Sequence, residues 1–150
     1  MKLEHIGGAG KWKVVAPVTV VDGAEVCELS LELQRFEDDR QTMAAALGLH
    51  EVWKRIDVTG PRALGVSLYH QVDEKHGIYE FVKGRLRVLC FEASTGAICV
   101  CACIFVKKTQ KTPKGHVSQA IALQKSYEKA AAERLIKIVR RNSKGELCED

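Results

Sequence analysis

The chain has 150 residues, 46% of them apolar, and its 23 basic and 19 acidic residues leave a formal net charge of only +4. That length suits one domain with a core of its own, and so small a net charge identifies no partner. No apolar run is long enough to span a bilayer, and "MKLEHIGGAG" lacks the apolar stretch of a secretion signal, so a cytoplasmic protein is expected.

In chain order, residues 1–10 are expected to form a flexible lead-in, 11–141 the domain and 142–150 a flexible tail. The β-branched run after Trp12 predicts a strand, with Pro17 marking it as an edge because proline cannot donate to a ladder. Asp22-Gly23 predicts a hairpin turn into a second strand, where Cys27, Leu29, Leu31 and Leu33 alternate with polar residues. A helix over 25–35 is the alternative there, since Glu and Leu are good helix formers. "EDDRQTMAAALGLHEVWKRI" predicts a helix, with Gly48 as a possible break, and 57–76 reads as irregular.

"GIYEFVK", "RLRVLCFEA" and "AICVCACIFVKK" predict three strands joined by turns at Gly84 and "STG", forming an antiparallel meander. Thr112 is expected to cap a long helix, with Pro113 as its first residue, running through "SQAIALQKSYEKAAAERLIKIVRR". The expected fold is α+β: a twisted antiparallel sheet packed by helices, with an N-terminal hairpin and a long C-terminal helix. Cys99, Cys101 and Cys103 share a parity, so they are expected on one face as free, buried thiols. Their C-x-C-x-C spacing does not suit structural zinc.

The charge distribution carries the functional signal. No acidic residue lies between Glu92 and Glu128, while Lys107, Lys108, Lys111 and Lys114 crowd the passage from strand to helix. Arg85 and Arg87 have matching parity on a neighbouring strand, and Lys83 lies at the turn before it. Together they predict a concave basic surface beside a helix N-terminus, suited to phosphate. A solvated lysine loop guarding a strand end is the plainer alternative. Tyr79, Glu80 and His116 are the candidates for proton transfer there.

The segment from "GIYEF" through "RLRVLCFEASTGAICVCACIFVKKTQKTPKGHVSQA" resembles the C-terminal core of the phage-derived HigB-type toxins of the RelE/ParE superfamily. The "FVKKTQKTP" run is its most specific part, and the resemblance covers roughly 77–127. It implies an mRNA-cleaving toxin acting on the ribosome without a metal or other cofactor, with a helix-turn-helix antitoxin as partner. Arg87 matches the family's strand arginine, Lys107 and Lys108 its basic pair, Lys111 the lysine before Thr-Pro, and Tyr79 a tyrosine of the first of these strands. Val82 stands where the family has an arginine, Ile104 replaces a glycine, and Gly115, His116 and Val117 replace a charged run. Two other outcomes suit the same resemblance: a non-nuclease toxin acting on a protein such as gyrase, or a silent RNA- or partner-binding phage protein.

Overall fold

A computed structural model describes residues 1–94 and 96–150. Four short strands come first: β1 (Lys2–Gly7), β2 (Lys13–Pro17), β3 (Thr19–Val21) and β4 (Ala24–Val26). Helices α1 (Glu28–Glu37) and α2 (Met43–Arg55) follow, then a 3-10 turn at Pro61–Leu64. Strands β5 (Tyr69–Asp73), β6 (Ile78–Lys83), β7 (Leu86–Glu92) and β8 (Ile98–Val106) form a meander. Helix α3 (Lys114–Ala132), β9 (Lys137–Arg141) and β10 (Leu147–Glu149) complete the chain.

Eight strands make one sheet in the order β10-β9-β1-β2-β8-β7-β6-β5, and β3 pairs only with β4. The pairing is mostly antiparallel, but β1 runs parallel to β9 and β2 parallel to β8. Helices α1 and α2 cover one face through Leu29, Leu33, Leu49 and Trp53, which pack on Val14, Phe81, Val88 and Cys101. Helix α3 covers the other, setting Ala120 and Tyr127 against Leu3, Val15, Leu89 and Phe91. The α+β class and the long helix are as expected, and the arrangement is compatible with a RelE-like fold.

Several local expectations are corrected. Residues 28–37 are helical: Leu29, Leu33 and Phe36 lie along one helical face, and Leu31 is left half exposed. The apolar alternation therefore fits a strand only because leucines also recur at helical spacing. The hairpin at Asp22-Gly23 forms, with both residues at positive φ (50° and 79°) as such a tight turn demands, but its arms are three residues each. Helix α2 runs straight through Gly48, where a Cβ would come within 2.6 Å of Lys83 Cε; the missing side chain seats the lysine stem.

The stretch 57–76 contains β5, and the helix expected to reach Arg141 stops at Ala132, leaving 137–141 as a strand. Pro17 ends an interior strand, since β2 lies between β1 and β8. The lead-in 1–10 carries β1 and the tail carries β10. A register shift opposite Leu89 and Cys90 puts a bulge in β8. Cys99 and Cys101 consequently face α1 and α2, while Cys103 turns to the α3 side; all six thiols are free. The turn expected at "STG" includes Thr95, which lies outside the described residues. Among the described residues no helix is long and apolar enough to cross a membrane.

The outer half of the sheet is fastened by one carboxylate. Asp150 accepts from Lys13 Nζ at 2.7 Å on β2 and Arg140 Nε at 2.8 Å on β9, and meets His5 on β1. Burial alone would raise its carboxyl, but these three groups outweigh it and bring it from 3.8 down to about 2. A depressed carboxyl stabilises the fold above its unfolded value and ceases to do so as pH falls through its folded one. The melting-temperature gap between wild type and Asp150→Asn is expected to be full above pH 4 and to shrink between about 4 and about 2, traceable by calorimetry. Fully buried Leu3 makes β1 part of the core. Leu3→Ala is expected to cost about 2–5 kcal/mol in urea unfolding, against almost nothing for a loose lead-in.

Candidate functional site

The site begins with strand parity on β6. Ile78 faces α3, Tyr79 and Phe81 face α1 and α2, and Glu80 returns to the α3 side. Glu80 is wholly buried. A carboxylate there needs partners, and three different elements supply them. His70 on β5 is its direct cross-strand neighbour, with Nε2 3.1 Å from Oε1. Arg87 on β7 brings Nε to 3.5 Å from the same oxygen. Thr112, in the loop before α3, donates its hydroxyl to Oε2 at 3.2 Å.

The two nitrogens approach Oε1 outside hydrogen-bond geometry, so Oε1 and Arg87 Nε both lack a hydrogen-bond partner among the described residues. Arg87 Nη1 is held instead by the carbonyls of Gly84 (2.7 Å) and Leu86 (2.9 Å). The imidazole of His70 spans the remaining distance to solvent. Its Nδ1 lies 3.0 Å from the Val66 carbonyl, which can only accept, so Nδ1 carries a hydrogen. The His70 side chain is 36% exposed. Glu80 itself cannot touch a substrate, whereas His70 can.

The lysine loop is tied to this cluster through Thr112. Lys107 follows β8 directly, and its N–H donates to the Arg85 carbonyl at 2.7 Å, so the lysine loop runs beside the β6–β7 turn. Thr112 spends its hydroxyl on Glu80, not on a helix cap, and Pro113 takes the cap position. Helix α3 therefore begins at Lys114 without a side-chain cap, and the main-chain N–H groups of Lys114 and Gly115 have no main-chain partner among the described residues. The His116 ring stacks on Phe105, with centroids 4.1 Å apart and planes 6° apart. Among the described residues, Lys83, Arg85, Lys107, Lys108, Lys111 and Lys114 form no ion pair, and no group of three or more His, Cys, Asp or Glu is placed to hold a metal.

The structure separates some residues that parity had grouped. Arg85 belongs to the turn, not to β7. With Lys83 it lines a cavity of about 450 Å³ against Gln41 and Thr42 at the start of α2, while Arg87 lies at Glu80 on the α3 side. Tyr79 is on the α1–α2 face, stacked on Tyr69 at 4.9 Å with Arg62 over its ring at 5.5 Å. It does not join Glu80. Arg87, Thr112 and the lysine loop do, and His116 lies at the same end of β8. His70 is the residue that sequence reasoning missed: only the β5–β6 register places it on Glu80.

Thr112→Val removes the tie between the loop and Glu80. Tryptic cleavage after Lys111 is expected to accelerate, with unfolding made easier by about 0.5–1.5 kcal/mol, the usual worth of one such hydrogen bond.

Residues 32–125, more than half of the chain, match the family model described as phage derived protein Gp49-like (DUF891). No curated protein matches the chain.

Proposed function

The chain belongs to the phage-derived Gp49-like family, and from that premise we propose that it is a toxin that cleaves RNA without a metal, with mRNA on the ribosome as substrate and a helix-turn-helix antitoxin as partner. The observation that carries this reading is a loop with Lys107, Lys108 and Lys111, which form no ion pair among the described residues, tied through Thr112 to the buried Glu80.

RNA cleavage by its own 2′-hydroxyl needs that proton removed, the phosphorane charge stabilised and the 5′-oxygen protonated as it leaves. Lys107 and Lys108, with the N-terminal N–H groups of α3, suit the charge. His70 suits a positioning role: its Nδ1–H is spent on the Val66 carbonyl and its Nε2 faces the buried Glu80, so neither ring nitrogen is left for a substrate proton. Glu80 and Thr112 are positioning residues: they hold His70 and the lysine loop at one place. Arg87 sets a cation beside the buried Glu80. His116, whose ring stacks on Phe105 at this end of the sheet, suits proton transfer to or from the sugar oxygens. Tyr79 has no part in this scheme.

Induced expression is expected to arrest growth and to produce discrete new transcript 5′ ends. Lys107→Ala/Lys108→Ala, at exposed or half-exposed positions, is expected to lower cleavage about 10²–10³-fold without loss of folding. His116→Ala is expected to lower cleavage about 10²–10⁴-fold, the usual worth of one acid–base group. Arrest with intact transcripts would transfer the reading to a toxin acting on a protein target.

A further inference from the structure

The edge of β8 is open over its last few residues. The β2–β8 ladder ends at Val15 opposite Val100, Pro17 has no N–H to offer, and the next residue, Val18, donates to the Lys2 carbonyl on β1 instead. The chain thus turns away and leaves Ile104–Val106 paired on one side only. Because Lys107 N–H bonds to Arg85 on the β7 side, strand alternation points the N–H and C=O of Ile104 and Val106 to the open side. Among the described residues no main-chain group from a turn or loop meets them there.

These free groups border a cavity of about 520 Å³. Phe36 and Glu32 of α1 wall it on one face of the sheet, and the stacked Phe105–His116 pair walls it on the other. Lys108 stands at its rim. The Glu32 carboxylate is 43% exposed and paired with Arg35, three residues away on the same helix.

We propose that this cavity is a nucleobase subsite, which takes one base of the RNA strand edge-on against Ile104 and Val106 while its phosphate lies on the lysine loop. This rests on the RNA reading above. The chemistry of the walls favours it: an aromatic pair offers a stacking surface, a strand edge offers alternating donors and acceptors, and Glu32 accepts from an exocyclic amino group. A base with an exocyclic amino group, adenine, cytosine or guanine, is therefore preferred over uracil. A peptide strand is disfavoured, because β2 occupies the same edge up to Val100 and leaves too little length for a ladder.

The test uses the isotope-labelled full chain, titrated with each of the four 3′-nucleoside monophosphates, with ribose 5-phosphate and with inorganic phosphate. The amides of Ile104 and Val106 are expected to shift with the nucleotides in a base-dependent way, and not with the two base-free probes. Glu32→Gln is expected to reduce the preference for the amino-bearing bases over uracil about tenfold, and His116→Ala to weaken all four bases by about tenfold. A 2′-deoxy dinucleotide, which cannot be cleaved, is expected to bind about tenfold or more tighter than the mononucleotide, because its second phosphate reaches further lysines.

Base-independent shifts, or unmoved Ile104 and Val106 amides, would overturn the subsite. So would protection of those amides that grows with protein concentration, since a second copy would then cover the edge. Equal affinity for mono- and dinucleotide would overturn the RNA assignment in favour of a free nucleotide. No bond is cleaved in this titration, so its failure is distinct from a failure of transcript cleavage.

Discussion

The Glu80 carboxylate is the constraint on which the rest of the site depends. It lies on an interior strand with no exposure, and burying such a charge costs several kcal/mol unless opposite charges and donors meet it. Its three partners come from β5, β7 and the loop before α3, so satisfying one charge fixes three elements that are remote in sequence. The cost of the buried charge is thereby converted into position. Thr112 anchors a loop whose three lysines, with Lys114 at the start of α3, would otherwise repel one another apart, and Arg87 is held at the level of the β6–β7 turn.

A second carboxylate performs a similar service for the other half of the sheet. Asp150 meets cationic or protonatable groups on β1, β2 and β9, three strands that lie partly or wholly outside the residues matched by the family model. The matched residues 32–125 hold α2, the meander and most of α1 and α3. Strands β1, β2, β9 and β10 extend the sheet through the parallel β2–β8 contact, while β3 and β4 form a separate hairpin. That extension stops short of the end of β8, and the gap between its last pair and the lysine loop leaves main-chain groups free beside the cationic surface.

Much of the meander was legible in the sequence because its signals are local. Alternating apolar residues and Gly84 act over a few residues, as Asp22-Gly23 does in the separate β3–β4 hairpin, and the acid-free lysine run is visible without any fold. The first helix was misjudged because leucines at 29, 31 and 33 satisfy two periods at once, and only the presence of β8 beneath decides which leucines are buried. The terminal strands were missed for a related reason: β1, β9 and β10 have little pattern of their own and gain their stability from pairing with one another and with β2.

What the sequence by itself determined is therefore the inventory: a three-stranded meander, a long helix after it, and unneutralised positive charge where they join. The tertiary structure decided which of those groups meet. His70 reaches Glu80 only because β5 pairs in one register. Tyr79 is taken away from it by the alternation of a single strand, and Cys103 changes faces through one bulge. Arg85 and Arg87 part because one lies in a turn and the other in a strand. In each case the physical reason is the same: side-chain direction repeats every two residues, so a shift of one position reverses the face, and that shift is set by partners far away in the chain.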